Sequence, residues 1–208
     1  EDAQGALWIG SFGGGLNRFD PAPGLVTSYR NAPADPASLP ADLVRAVRVD
    51  RDGRIWAGTQ GGGLARLDPR TGRFERFRHD PRDGASLAFD DVRALLVDGR
   101  GTLWVGTYGG GLDRFDAARG AFVHVPSDGG RGAELVDALL EDRSGHLWAG
   151  TWGGGLFLLD EGAGRLVPRP RCARLPSERV KALAEDHEGF LWVATDGAGL
   201  ARYDRKTE

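Results

Sequence analysis

An all-β fold of repeated four-stranded antiparallel sheets is what this sequence predicts, on three observations. One phrase is written five times: LWIGSFGGGLNRFD at Leu7–Asp20, IWAGTQGGGLARLD at Ile55–Asp68, LWVGTYGGGLDRFD at Leu103–Asp116, LWAGTWGGGLFLLD at Leu147–Asp160 and LWVATDGAGLARYD at Leu191–Asp204. Trp8, Trp56, Trp104, Trp148 and Trp192 stand 48, 48, 44 and 44 residues apart, a period that belongs to stacked supersecondary units. Between the phrases, short apolar stretches are punctuated by Asp, Gly and Pro, and none is long enough for a helix.

The second copy shows how each element arises. Leu43–Val49 alternates apolar and polar residues, a half-buried strand. Asp50-Arg51-Asp52-Gly53 is a tight turn, in which Asp accepts backbone hydrogen bonds and Gly takes positive φ. Arg54–Thr59 is a second strand carrying Trp56 and Gly58. Gly61-Gly62-Gly63 reads as a loop, because a helix of glycines loses too much backbone entropy. Leu64–Asp68 is a third strand, Pro69-Arg70-Thr71-Gly72 a turn, and Arg73–Arg78 a fourth strand with Phe74 and Phe77. Four short strands per unit, no helix and a period in the forties describe a β-propeller blade. The blades are expected at about 1–30, 43–78, 91–125, 135–168 and 179–204, one propeller region over 1–208.

The fixed residues of the phrase have structural explanations. One Trp per blade fills the wedge against a neighbouring blade. Gly10, Gly58, Gly106, Gly150 and Ala194, two residues later, let sheets approach closely. The pairs Asp2/Gly5, Asp50/Gly53, Asp98/Gly101, Asp142/Gly145 and Asp186/Gly189 are expected to be backbone devices of the turns. The first blade is expected to lack its first strand and the last its fourth. The five blades therefore read as a fragment of a larger ring.

Composition sets the outer limits. Of 208 residues 40% are hydrophobic and 27% charged, an ordinary globular balance. No apolar run approaches the ~20 residues that span a bilayer. A net charge of -3, without a dense Lys/Arg block, argues against nucleic acid as a partner. Lys181 and Lys206 are the only lysines; the Arg bias, with abundant Ala, Gly and Pro, reads as genome composition. Cys172 is the only cysteine, so no intrachain disulfide forms. The chain opens on Glu1 and contains no Met, as a processed chain or an excised piece would.

The phrase resembles the two-component regulator propeller repeat, which runs from a Ser-Leu pair through a strand and an Asp-x-x-Gly turn to Leu-Trp-Ile-Gly-Thr and Gly-Gly-Gly-Leu. Ser38-Leu39 and Ser86-Leu87 precede Val44 and Val92 as that pattern expects, and His79-Asp80-Pro81 resembles its inter-blade loop. The departures are local. The last two inter-blade loops are short and lack Ser-Leu; the fifth copy has Ala194 and Gly197-Ala198-Gly199; the fourth has Phe157-Leu158. The resemblance implies a non-catalytic, ligand-sensing region outside the cytoplasm, part of a membrane-anchored bacterial histidine kinase, hybrid sensor or diguanylate cyclase. It further implies the receptor's remaining parts as partners: more blades, an immunoglobulin-like domain, a membrane helix and a dimeric arrangement. Carbohydrate breakdown products, oligosaccharides among them, are ligands of many such sensors.

One position varies inside the fixed frame. Phe12, Gln60, Tyr108, Trp152 and Asp196 stand between the Ser/Thr and the glycines, in the loop between second and third strands. These five are the candidate ligand-binding residues. Three aromatics, an amide and a carboxylate, expected to be exposed around the mouth of the central channel, suit a small polar ligand. A freely drifting loop tip is the alternative. The long, Pro-rich loops Arg30–Ala41 and Arg78–Asp90 are a second candidate surface.

Other signals point away from chemistry. The glycine runs lack the Gly-Lys-Ser/Thr and the helix of a phosphate loop. Asp50-Arg51-Asp52-Gly53 lacks the later ligands of a calcium loop. His79, His124, His146 and His187 are spaced as surface residues rather than zinc ligands. No Gly-x-Ser-x-Gly elbow is present, and no catalytic residue, metal ligand or cofactor is assigned. Two alternatives to the sensor stay open: a secreted propeller enzyme of the lyase or lactonase kind, and a protein-interaction scaffold.

Overall fold

A computed structural model describes residues 1–130, 132–169 and 175–204; Cys172 and Lys206 lie outside the described residues. Eighteen strands form five antiparallel sheets among these residues, and no helix occurs. The first sheet holds β1 (Leu7–Ser11), β2 (Gly15–Asp20) and β3 (Leu25–Tyr29). The second holds β4 (Val44–Val49), β5 (Ile55–Thr59), β6 (Gly63–Asp68) and β7 (Arg73–Phe77). The third runs through β8 (Val92–Val97), β9 (Leu103–Thr107), β10 (Gly111–Asp116) and β11 (Ala121–Val125). The fourth runs through β12 (Val136–Glu141), β13 (Leu147–Thr151), β14 (Gly155–Asp160) and β15 (Arg165–Pro168). The fifth holds β16 (Val180–Glu185), β17 (Leu191–Thr195) and β18 (Gly199–Tyr203). Every sheet is a meander in sequence order. The first has three strands with no leading strand, and the fifth three with no outer strand, as the repeat alignment predicts. The leading strands β4, β8, β12 and β16 lie side by side, the arrangement of a propeller's inner wall.

The tryptophans fill the joints. Trp56 is 2% exposed; its ring stacks on Phe77 of its own blade at 5.6 Å and meets Phe115 of the next blade edge-on at 5.0 Å. Around it pack Leu64, Leu87, Val92, Leu95 and Leu103, drawn from both blades. Such burial of an aromatic is the main apolar contribution at a joint. Close approach follows from the glycine two residues on. A Cβ placed on Gly58 would lie 2.6 Å from Val92 Cγ1, and one on Gly10, Gly106 or Gly150 would meet Val44, Val136 or Val180 at 2.6, 2.6 and 2.4 Å. Each of these valines opens the next blade's leading strand.

The turn aspartates do more than the sequence reading assigned to them. In all five copies Oδ1 accepts the amides two and four residues on, in blade two those of Asp52 and Arg54 at 3.0 and 2.9 Å. In all five, Oδ2 accepts the indole Nε1–H six residues on, at 2.8 Å, from Asp2–Trp8 to Asp186–Trp192. The expectation of a purely backbone role is thus corrected: the carboxylate also satisfies the one polar atom of the buried indole, which would otherwise lose its water uncompensated. Burial alone would raise the Asp98 carboxyl, but the Trp104 indole and the Thr102 and Arg100 amides outweigh it and hold it below the ordinary 3.8. Asp2 and Asp186 are lowered by the same arrangement.

The Ser-Leu pairs tie down the long inter-blade loops. Ser38 Oγ accepts the Ala32 amide and Ser86 Oγ the Asp80 amide, both at 2.9 Å, while Leu39 and Leu87 are wholly buried plugs.

Candidate functional site

Hairpin topology puts the Asp-x-x-Gly turns and the turns between third and fourth strands at one end of each blade. The glycine loops and inter-blade loops gather at the other end. There the first and third glycines of a run take positive φ (77° at Gly61, 80° at Gly63), which only glycine adopts cheaply. The loop then reaches across the joint: Gly63 donates to Asp90 O at 2.9 Å, and Gly109 and Gly111 both donate to Glu134 O. Each loop is therefore fixed by the residue that leads into the following blade.

The five candidate residues sit on this lattice. Phe12, Gln60, Tyr108 and Trp152 form isolated antiparallel bridges with Leu43, Asp91, Leu135 and Arg179, just ahead of the next leading strand. Their exposure differs from the uniform display expected of them. Phe12 is 73% exposed and Asp196 is exposed, whereas Gln60, Tyr108 and Trp152 are only half-exposed. The cause is a set of cations that sequence reasoning missed. Every leading strand carries a β-bulge, between Val44 and Ala46, Val92 and Ala94, Val136 and Ala138, and Val180 and Ala182. The residues inside the bulges are Arg45, Arg93, Asp137 and Lys181, and a bulge re-aims its side chain.

Arg45 lies over the Phe12 ring at 5.0 Å and donates through Nε and Nη2 to Gln60 Oε1 at 3.1 and 2.8 Å. Arg93 lies 3.5 Å from the Tyr108 centroid and pairs with Asp91 at 3.1 Å and Asp137 at 3.4 Å. Lys181 donates to Asp137 at 2.6 Å and sits over Trp152 at 4.3 Å. Arg179 covers Trp152 at 5.1 Å and faces Asp196 at 3.7 Å. Tyr108 to Asp196 is thus one continuous polar chain across three blades, and Phe12, Arg45 and Gln60 form a separate group. Burial would lower the Arg93 guanidinium, but Asp91 and Asp137 more than compensate and raise it above its ordinary value. That cation stays charged throughout the accessible pH range. Cation–π contact of this kind also fixes ring orientation, so the aromatics are held rather than loose.

Several other features lie elsewhere. Clefts of about 420, 390, 510 and 270 Å³ open in the molecule, and none is lined by the five loop residues. His124 and His146 are exposed, as expected, and each is also bonded to a carboxylate. His124 Nδ1 lies 2.6 Å from Asp113 Oδ1 and His146 Nδ1 3.2 Å from Asp142 Oδ2. Asp113 is wholly buried, and burial raises its carboxyl above 3.8 despite the bonds from His124 and the Ala88 amide. Among the described residues no three His, Cys, Asp or Glu side chains converge as metal ligands would, and no helix is long and apolar enough to cross a membrane.

Comparison with known proteins follows the same repeats. The sequence model of the two component regulator propeller matches residues 38–61, 86–109, 130–153 and 174–197. No curated protein matches the chain. Among solved structures, the extracellular domain of a putative hybrid two component system from B. thetaiotaomicron superposes with a TM-score of 0.84 at 28% identity. The alignment covers 100% of this chain and 28% of that one. A second such domain from the same organism gives 0.80 at 23% identity, over 100% and 29% of the two chains. Virginiamycin B lyase from Staphylococcus aureus shares the fold alone, with a TM-score of 0.69 at 13% identity over 97% of this chain and 67% of its own. The chain spans less than a third of the length of these two extracellular domains. With five written copies, five sheets of one design and four matched segments, the chain carries two component regulator propeller repeats.

Proposed function

We propose that this chain is part of the non-catalytic, extracytoplasmic input region of a membrane-anchored bacterial signalling receptor, and that its glycine-loop face binds a small polar ligand. The observation that carries the reading is the likeness over its whole length to the extracellular domain of a putative hybrid two component system, at 28% identity. The loop face supports it: side chains that differ in every blade are held by cations in or beside the bulges on an otherwise repeated frame. Rings, guanidinium groups, an amide and carboxylates in one band are suited to an oligosaccharide, whose hydroxyls need both donors and acceptors. Hydrogen bonding by Arg45, Gln60 and Asp196 adds to stacking on the rings, of which Phe12 is the most open. The rest of the receptor completes the device: further blades, an immunoglobulin-like domain and a membrane helix, assembled as a dimer. A ligand acts there by binding one arrangement of the dimer more tightly than another.

The test is calorimetric titration of the chain with a panel of oligosaccharides, followed by Phe12→Ala, Tyr108→Ala and Trp152→Ala. Affinity is expected to fall about tenfold or more in at least one variant, while the melting temperature of Phe12→Ala stays within a degree or so, its ring being largely exposed. Unchanged affinity in all three would remove the loop face from the account.

A further inference from the structure

The end of the blades opposite the glycine loops holds a second arrangement, independent of the function proposed above. A cleft of about 420 Å³ opens there between the second and third blades, within the size range of small-molecule sites. Five arginines line it: Arg51, Arg54, Arg66, Arg100 and Arg114. Against them stand Asp50, Asp52 and Asp116. Two of those carboxylates are committed. Asp50 holds the Trp56 indole and two amides. Asp116 accepts the Ala118 and Arg119 amides and faces Arg119 Nε at 3.8 Å. In a chain of net charge -3, this is a local reversal of sign.

The arginines divide into held and free. Arg66 is paired with Glu75 and lies over the Trp56 ring at 5.1 Å. Arg51 donates to Gly99 O, and Arg100 to Glu161 at 3.2 Å. Arg54 and Arg114 have no side-chain hydrogen bond or ion pair among the described residues, and both are exposed.

The ladder shows why Arg114 lacks the partner that Arg66 has. Arg66 and Arg114 occupy the same place in consecutive copies, ten residues after the Trp. In the ladder Arg66 stands opposite Glu75, whereas Arg114 stands opposite Val123. An apolar residue stands where Arg66 has its counter-ion, and the cation is present in both. Arg54 stands where the other copies carry Ala6, Thr102, His146 and Phe190, so this joint alone gains a cation at that place. Two uncommitted guanidinium groups therefore face one cleft whose floor is made by Trp56, Leu103 and Phe115.

We propose that this cleft is an anion site, taking a small ligand whose carboxylate or sulfate group is gripped between Arg54 and Arg114. Guanidinium presents paired N–H donors that match the two oxygens of either group. The held arginines, Arg51, Arg66 and Arg100, supply field and shape rather than the primary contacts.

The experiment titrates the full 208-residue chain with citrate in one arm and inorganic sulfate in the other, by calorimetry at low and high salt. Saturable one-to-one binding of citrate, sulfate or both is expected, with the stronger arm naming the preferred group. A charge-assisted hydrogen bond contributes about 1.5–3 kcal/mol, so Arg54→Gln with Arg114→Gln should weaken it tenfold or more. Arg114→Lys, which keeps the charge and loses the fork, should give an intermediate loss, and serves if the double variant folds poorly. Arg82→Gln, an exposed arginine on an inter-blade loop, should match the parent. The proposal is overturned by absence of saturable binding in both arms, or by equal loss in Arg82→Gln. It is overturned equally by affinity that survives in the double variant or in Arg114→Lys undiminished.

Discussion

Replacing Gly58 by Ala tests the idea that blade spacing is set by a missing side chain. The new Cβ would lie 2.6 Å from Val92 Cγ1 and 3.1 Å from the Val92 carbonyl oxygen, where carbon–carbon contact is comfortable at about 3.5–4.0 Å. Relief requires β5 and the next blade's leading strand β8 to separate by most of an ångström, and Val92 is wholly buried with no room to turn. Overpacking of this kind costs ~1–3 kcal/mol, and the upper half applies because a backbone atom is among the obstacles. Glycine's greater entropy in the unfolded chain returns about 0.5–1 kcal/mol to the alanine variant. The expected net loss is about 1–2.5 kcal/mol, read as a lower urea midpoint at constant slope. Two companions sharpen the measurement. Gly84→Ala, with open space around it, should stay within about 0.5 kcal/mol of the parent. Val92→Ala in the Gly58→Ala background should recover about 1 kcal/mol relative to additivity, since it removes the obstructing methyls. A loss below about 0.5 kcal/mol for Gly58→Ala, or strict additivity with Val92→Ala, would refute the reasoning.

Further outcomes follow from the same geometry. Trp104→Ala should cost ~3–5 kcal/mol in a denaturant melt, while Trp192→Ala, whose ring is half-exposed on the fifth blade, should cost about 1–2 kcal/mol. Asp98→Asn, which sets an amide N–H₂ or a poorer acceptor against the Trp104 indole, should cost about 1–2 kcal/mol at neutral pH. Because the folded carboxyls of Asp2, Asp98 and Asp186 lie below their unfolded value, the stability they supply is complete above 3.8 and drains as pH falls through the lowered folded value; an acid melt should show that loss, and Asp98→Asn should flatten it. Asp113, raised by burial, should titrate above 3.8 in a carbon-detected NMR titration of the side-chain carboxyl, and a midpoint at or below that value contradicts its description as a buried carboxyl.

Much of the fold was legible because repetition acts as an internal alignment. The strands from Val44 to Phe77, the shortened first and fifth sheets and the role of Gly58 all follow from comparing five copies of one phrase. The identity of the Asp50–Trp56 contact did not, since a six-residue separation says nothing until the hairpin folds the indole back over its own turn. The bulges were hidden for a related reason. A strand reading by strict alternation puts Arg45 or Arg93 on a fixed face, and the extra residue that turns it toward the loops leaves no mark in the pattern. Consequently Tyr108 and Trp152 looked like open rings in the sequence, although the structure sets cations on them. The cleft at the other end was obscured by abundance: with arginine so common in this chain, a meaningful one differs from the rest only by its cross-strand neighbour, Val123 in place of Glu75.

The joint between blades has a consequence for how such an array is lengthened. Each copy writes half of two different joints: a glycine, an indole and a donor loop on its trailing side, and a valine with a lead-in carbonyl on its leading side. An in-frame duplication of one 48-residue period, such as that separating Trp8 from Trp56, therefore delivers two complementary halves at once, already in register with the neighbours on either side. Such a copy would dock without any new contact having to arise, leaving the loop residue at positions such as 60 or 108, and the bulge residue across from it, free to diverge afterwards.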